Sequence, residues 1–521
     1  MVEKWRAGNS AVLKPREETV NDRRKLRKFQ ITVLVLFQIM LMLGYVRAFD
    51  NGARTREAIK LIASAYYEIA QYGSGVPPEE LVYAGIDGMM STLDPHTHFL
   101  NPSIFKYMRE EQEGSFFGIG ISFDVRDGVL TVISTIEGTP AERAGIRAGD
   151  RILAIEGESA AGISTTEVLQ KLRGEKGSRV NISVAGPFSD ETREIELIRD
   201  LIPLKSVPYA LMVSPETGYI RITTFATTTA EELAEAMHSL EKQGMERLIL
   251  DLRNNSGGLL NAAIDVSCAF FQEDLNVVFT KGRTQGTNVD YRCQDAGRWT
   301  KLPVIVAVNM GSASASEIVA GAIQDHRRGL VIGDTTFGKG LVESLYPLDE
   351  GCALQITTAQ YFTASGRFIQ KPYDIPHRHS QAEPRAVNGD LAIPSEDGGI
   401  VPDVIIEDPE LPETLLVLSQ TFFDFALRFN TDHPDAPTPS VTDQALFDEF
   451  LVFLDEKDIP YDVTDEDLTL LRERIMQSLV SNIVTVREGS DAAYRVQLQF
   501  QPLIQTALAL FDDLPQMTGK Q

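Results

Sequence analysis

The chain is poor in the residues from which catalytic triads and metal centres are most often assembled. Its 521 residues include seven histidines, three cysteines and two tryptophans. The histidines form no recognisable triad motif. Cys268, Cys293 and Cys352 are scattered and odd in number, so they give no paired framework and do not report the redox compartment. Positive charge is also scarce, with a formal net charge of −25. Residues 1–30 carry nine Lys/Arg against four Asp/Glu, a balance of +5, which leaves −30 on the remainder. A body that acidic repels phosphate backbones, which argues against nucleic acid as a partner. Apolar residues are plentiful: 43% hydrophobic and 24% charged residues describe a globular chain. Its length calls for about three or four domains.

One long apolar run is present. "RRKLRKFQ" leads into "ITVLVLFQIMLMLGYV" and then "RAFD". A basic flank before about 18 mostly apolar residues is enough to span a bilayer. Positive charge on the N-terminal side predicts a cytoplasmic segment over 1–28, a transmembrane signal-anchor over 29–48, and everything after Ala48 outside. The competing reading is a cleaved signal peptide ending at Val46-Arg47-Ala48. Either way the body is expected to be extracytoplasmic.

Residues 50–112 read as a small helical module, with Ile59, Ile62, Tyr66 and Ile69 at helical spacing and a second pattern opened by Pro77 and Pro78. "LDPHTHFL" follows, and His96 and His98 share one face if the segment is extended. With no Cys or third His nearby they read as loop or packing residues, and no metal is expected.

From Glu113 the texture changes to short β-branched runs: "FFGIGISFDV", "GVLTVISTI", "DRILAIEGE" and "SRVNISVAG". A short helical stretch in "GTPAERAGIRAGD" and a helix in "STTEVLQKLRG" complete an order that resembles a PDZ domain over 113–200. In Gly118-Ile119-Gly120-Ile121, two glycines let consecutive backbone N–H groups converge on a terminal carboxylate. The following strand edge would accept a peptide as an added strand. Arg147 is a candidate to sense that peptide.

After Asp200 the rhythm becomes α/β. "GYIRITTFA", "RLILDLR" and "PVIVAVNM" read as strands, and "TAEELAEAMHSLEKQG", "LLNAAIDVSCAFF" and "EIVAGAIQDH" as helices. "GSASAS" crowds serines between a strand and a helix, where hydroxyls and free N–H groups meet a helix dipole that favours negative charge. Further on, Gly333-x-x-x-x-Gly338-Lys339 fits seven positions of a phosphate-binding loop. The eighth is Gly340, which has no side chain to ligate magnesium, so no nucleotide is expected. Lys339 needs another use. A serine nucleophile requires a base, and a lysine serves if burial lowers its pKa from about 10.4 toward about 7 to 8. The residues alone thus propose a Ser/Lys hydrolase, without saying which serine acts.

From about residue 55 to 408 the chain also resembles the carboxy-terminal processing, or tail-specific, proteases. "LDPHTHFL", the PDZ segment, "DLRNNSGGLL", "NMGSASASEIVAGAIQDHRRGLVIGDTTFGKG", "TTAQYFTASGRFIQ" and "GGIVPDV" carry the resemblance. It implies a multidomain α/β chain: a PDZ domain, β-rich with two helices, plus a crotonase/ClpP-like α/β protease core over 201–408, with helical N- and C-terminal modules. It implies Ser314 as nucleophile and Lys339 as general base, with oxyanion donors at Ala315 and in the Gly257/Gly258 turn. Asp325 is a supporting residue. The implied substrates are proteins with exposed, mostly apolar C-terminal tails, processed or degraded at the inner membrane on the periplasmic side of a bacterial envelope. Neither metal nor nucleotide cofactor is implied. The chain departs from the family at Glu343, where many members have a Gln that orients the amine. An ionised carboxylate there opposes use of the lysine as a base. The alternative is therefore a catalytically inert PDZ peptide-binding scaffold.

Residues 409–521 read as an acidic C-terminal helical domain, with Leu446, Phe450, Phe453 and Leu454 on one helix face and a capping-box pattern at Thr464 and Asp467. That face packs a core or forms a homo-oligomer seam; an adaptor is a further possible partner. Residues 377–399 lack periodicity and read as a mobile loop near the site, with His377 and His379 solvated.

Overall fold

The computed structural model describes residues 52–514 apart from 53, 74, 127, 190, 285, 373–397, 407–411 and 458–463. The expected anchor over 29–48 and most of the expected loop, with His377 and His379, lie outside the described residues. Among the described residues no helix is long and apolar enough to cross a membrane. The chain divides into two compact units, residues 1–88 and 89–521. The first contains a helix over 54–72 and most of the helix Pro78–Met90.

In the second unit, the helix Pro102–Glu113 is capped by the Asn101 side chain and stopped by Gly114 at φ 71°. It leads into a two-stranded ribbon, Ser115–Gly118 with Asp200–Pro203, that holds the PDZ-like body by both ends. That body is a sheet of Ile121–Arg126, Val129–Thr135, Arg151–Ile155, Arg179–Ala185 and Thr192–Ile198, with a short strand Glu158–Ser159 beside the third. Ile121–Arg126 lies at the sheet edge and, among the described residues, pairs only with Val129–Thr135. The two expected helices form as Pro140–Arg143 and Thr165–Leu172, the latter started by a Ser164/Glu167 capping box.

The central sheet runs Tyr209–Met212, Thr217–Arg221, Arg247–Asp251, Val304–Val308, Leu330–Gly333, Val404–Ile405, antiparallel in the first pair and parallel thereafter. Its strand Val304–Val308 is apolar and buried throughout because both faces are covered. Leu248, Leu250, Val304, Val306 and Val308 point into one core with the helices Thr229–Lys242, Leu260–Cys268 and Ala315–Asp325. Ile249, Ile305 and Ala307 point the other way, against Leu498, Leu503, Ile504 and Ala507. Those four belong to the last helices, Ser490–Leu498 and Pro502–Leu510. The boundary expected at 409 therefore does not separate the packing: the end of the chain roofs the protease sheet.

A second sheet is built on the long strand Ala353–Thr363, which pairs with His98–Leu100, Asn276–Gly282 and Leu341–Pro347. The helical region also contains Glu413–Asp432, Gln444–Asp455, Asp465–Leu470 and Arg472–Glu488. Leu446, Phe450, Phe453 and Leu454 are buried there against Phe422 and Phe425. These four side chains pack a core, so they do not provide the alternative surface seam. The Thr464/Asp467 capping box is present.

The cysteine reading is corrected. Cys268 and Cys293 form a disulfide, with Cα atoms 5.3 Å apart, that ties the end of the helix Leu260–Cys268 to the chain after the strand Val289–Arg292. Spacing alone did not reveal it because the pair meets only when that strand folds back. Cys352 is buried outside any disulfide.

Candidate active site

Three loops leave the carboxyl ends of adjacent parallel strands and meet in a cleft of about 800 Å³, the usual place for a site in such a sheet. The first follows Arg247–Asp251. Its buried Asn255 donates from Nδ2 to the Ile222 carbonyl and accepts the Gly257 N–H at Oδ1, each at 2.9 Å. Gly257 and Gly258 have φ of 110° and 140°. A Cβ on Gly257 would lie 2.8 Å from the Ser314 Cβ, and one on Gly258 would lie 2.3 Å from the Phe225 carbonyl oxygen. Both positions therefore require glycine. Since Asn255 engages the Gly257 N–H, the donor this turn leaves for an oxyanion is the Gly258 N–H, which has no partner among the described residues.

The second loop, after Val304–Val308, carries the serines. Ser312 Oγ donates to the Leu252 carbonyl and Ser316 Oγ to the Asn255 carbonyl, both at 2.8 Å, and both residues are fully buried. Ser314 instead lines the cleft. It precedes the helix Ala315–Asp325 at φ 52°, a conformation that costs a non-glycine residue free energy and recurs at functional sites. Ala315 opens the helix, so its N–H is one of the helix's unsatisfied donors; it too has no partner among the described residues.

The third loop, after Leu330–Gly333, brings Lys339 to the same cleft. One side chain ties it to the serine loop. The Glu317 carboxylate, fully buried, accepts the N–H groups of Ser314 (2.8 Å), Gly338 (2.7 Å) and Lys339 (2.9 Å) and the Thr336 hydroxyl (2.6 Å). Burial pushes this carboxyl above its ordinary range, while the four hydrogen bonds pull the other way. The Gly338 and Lys339 amides that a phosphate-binding loop would turn toward its ligand are here turned toward an acid. Glu317 was not singled out from the sequence, although Ser314-Ala-Ser-Glu317 fits the capping-box pattern.

Glu343 points at the lysine. Its Oε2 lies 3.1 Å from Lys339 Nζ, and the two side chains are only 11% and 20% exposed. Burial raises the Glu343 carboxyl, and the neighbouring ammonium partly opposes that shift. Glu343 Oε1 is buried with no hydrogen-bond partner among the described residues. "LDPHTHFL" comes close as well. Asp94 accepts from Thr357 Oγ1 at 3.1 Å, and Thr357 sits opposite Glu343 in the strand register. His96 is held below its ordinary pKa first by burial and then by the charge of Lys339. Its proximity to the lysine was invisible in sequence, where the two are 243 positions apart. Among the described residues no three His, Cys, Asp or Glu side chains are grouped as metal ligands would be.

Asp325 sits at the far end of the helix that begins at Ala315. It accepts the Ser365 N–H at 2.7 Å and pairs with Arg367. Burial alone would raise its carboxyl, but bonds from Thr363 and Ser365 and the Arg367 charge hold it below the ordinary range. Its support therefore reaches the end of the strand Ala353–Thr363 and not Ser314 or Lys339 directly.

At the PDZ-like body, Gly120 has φ 82°, and a Cβ there would collide with Thr139 at 2.3 Å. The Ile119 carbonyl is bonded by Ala141 N–H and the Gly120 carbonyl by Ile136 N–H, whereas the Ile119 and Gly120 N–H groups have no partner among the described residues. Ile121 opens the exposed edge strand. Arg147 is exposed on the turn before Arg151–Ile155, its own N–H bonded to Asp150, and among the described residues no side-chain bond ties it to the glycine loop.

Residues 216–378 match the model of peptidase family S41, and residues 131–186 match that of the PDZ domain. A carboxy-terminal-processing protease of Bartonella bacilliformis is 35% identical over 410 residues, covering 78% of this chain and 87% of the relative. A carboxyl-terminal-processing protease of Picosynechococcus is 37% identical over 307 residues, 58% of this chain and 73% of its own. The solved structure of a photosystem II D1 C-terminal processing protease is 31% identical, covers 66% of this chain and 86% of that one, and superposes with a TM-score of 0.36. With a PDZ domain joined to a core of this family, the chain belongs to the carboxy-terminal-processing proteases, serine peptidases of family S41.

Proposed function

We propose that the protein is a Ser/Lys endopeptidase that takes hold of exposed, mostly apolar C-terminal tails through its PDZ domain and cuts the protein bearing them. The observation that carries this reading is the Glu317 carboxylate, which binds the main chains of Ser314 and Lys339 at once. Lys339 Nζ, as the neutral amine, takes the proton of the Ser314 hydroxyl. Ser314 Oγ attacks the scissile carbonyl, and the resulting oxyanion accepts the N–H groups of Gly258 and Ala315. Collapse expels the amine product, protonated by the lysine, and leaves an acyl-enzyme. Water, deprotonated by the same amine, attacks the acyl carbon; the bond to Ser314 Oγ breaks, Oγ regains the proton from the lysine, and the acid product leaves.

The N–H groups of Ile119 and Gly120, without a partner among the described residues, lie beside the edge strand Ile121–Arg126 and support the tail-capture reading. Arg147 is assigned the sensing of the bound tail. The body is extracytoplasmic, held at the inner membrane by residues 29–48; the Cys268–Cys293 disulfide favours an oxidising compartment. Glu343 motivates the second reading, an inert scaffold in which the Lys339–Glu343 pair has no chemical use.

The test is cleavage of an unstructured protein with an apolar C-terminus by the full chain, beside Ser314→Ala and Lys339→Ala, between about pH 6 and 10. Loss of cleavage in both variants supports the dyad. An unmodified chain that binds the tail and never cuts favours the scaffold.

A further inference from the structure

Building on the Ser/Lys reading, we propose that Tyr361 is a positioning residue: its hydroxyl sets the peptide planes that follow Ser314 and Lys339, and the first of these aims the Ala315 N–H at the oxyanion.

Tyr361 lies on the strand Ala353–Thr363 with its side chain in the main core, 1% exposed. Its main-chain N–H donates to the Gly340 carbonyl at 2.9 Å. Its hydroxyl lies 2.5 Å from the Lys339 carbonyl oxygen and 3.2 Å from that of Ser314. A phenol has one proton to donate, so the shorter contact takes most of it and the longer one shares it. Both acceptors are backbone carbonyls of the two residues on which the chemistry rests.

A trans peptide is planar, so a carbonyl and the N–H of the next residue point in opposite directions as one rigid group. Fixing the Ser314 carbonyl therefore fixes the Ala315 N–H. That carbonyl accepts from Glu317 N–H (2.9 Å), Ile318 N–H (3.1 Å) and the Tyr361 hydroxyl. The Lys339–Gly340 peptide is held at both ends, its carbonyl by Tyr361 and its N–H by Gln370 Oε1 at 2.8 Å. Glu317 is the complement: it accepts the N–H groups of Ser314 and Lys339, and Tyr361 donates to their carbonyls. Each of the two residues is thus gripped on one side by the same acid and on the other by the same phenol. Burial, reinforced by the charges of Glu317 and Glu343, raises the phenol well above its ordinary pKa, which keeps it a donor.

Tyr361→Phe removes the donor and keeps the ring. The full chain carrying it is compared with the unmodified chain, Ser314→Ala and Lys339→Ala in four measurements: kcat and KM on a tailed peptide, affinity for a peptidyl boronate that forms a tetrahedral adduct, tail binding, and thermal melting. The expected result is a fall in kcat of about ten-fold or more and an equal loss of boronate affinity. KM, tail binding and melting should stay near the unmodified values. A kcat within about two-fold of the unmodified chain overturns the inference, as does a lower kcat with boronate affinity unchanged. Early melting together with lost tail binding would make Tyr361 a core residue only and overturn it too. Cleavage that survives in Ser314→Ala or Lys339→Ala sinks the Ser/Lys reading and this inference with it, whereas a normal Tyr361→Phe beside two inactive references sinks this inference alone.

Discussion

The joint between the serine and lysine loops and the joint between the PDZ domain and the helical region both contain polar contacts, built in different ways. The first is dry. Glu317 is fully buried and accepts four hydrogen bonds, and Tyr361 is buried beside it. The second is wet. Arg126, at the end of the edge strand, pairs with Asp424 at 3.2 Å while stacked on Phe423, and Lys457 reaches the same carboxylate at 3.3 Å. The Arg126, Asp424 and Lys457 side chains are 23%, 34% and 42% exposed. A buried acid with every lone pair engaged fixes geometry, because any shift leaves a polar group unsatisfied in a low dielectric. Exposed ion pairs exchange with water at little cost. The serine and lysine loops are thus joined by fully buried polar bonds, and the PDZ domain is joined to the helices by partly exposed ion pairs.

The largest effect that would sharpen this contrast is in the dyad. Ser314→Ala and Lys339→Ala should each lower kcat/KM by about a thousand-fold or more with melting unchanged. Residual cleavage within ten-fold of the unmodified chain, on the order of what a peripheral residue costs, would break it. Next is Glu317→Ala, which strands three amides and a hydroxyl; equilibrium unfolding in urea should report a loss of about 3 kcal/mol or more, together with lost activity. A small stability change would show that water replaces the carboxylate and that the joint is not dry.

Glu343→Gln comes third and concerns pH. An ionised Glu343, 3.1 Å from Lys339 Nζ, opposes use of that amine as a base, and replacing it by Gln removes the opposing charge. The acid limb of the kcat/KM profile should move down by about one pH unit. A profile that stays in place would mean that the buried carboxyl, already raised, holds its own proton in the resting site. The smallest effect is expected at the wet joint. Arg126→Ala should cost less than about 1 kcal/mol in thermal melting and leave cleavage of short tail-free peptides unchanged. A larger loss would show that the PDZ domain is locked to the helices.

Much of this was legible in sequence. The apolar runs of the central sheet, the glycine turn at 257 and 258, the serine cluster and Lys339 carry local signals that survive folding. The capping box at Thr464 forms where the spacing predicts, since a cap needs only four consecutive residues. What sequence did not give is the set of long-range partners. His96 beside Lys339, Tyr361 between two carbonyls and the Cys268–Cys293 bond each depend on strands that meet only in the folded sheet. The choice among Ser312, Ser314 and Ser316 needed the family resemblance; in the fold, hydrogen bonds engage the outer two hydroxyls and leave the middle residue on the cleft. That the last helices cover the central sheet carried no local signal either. An amphipathic helix announces an apolar face, but not the sheet it will cover.

The most direct test of the central claim is to treat the full chain with a fluorophosphonate and locate the adduct by peptide mass spectrometry, with and without Lys339→Ala. Modification confined to Ser314, and lost when the lysine is replaced, is the predicted result. Modification at Ser312 or Ser316, or undiminished labelling of Ser314 without Lys339, would contradict it.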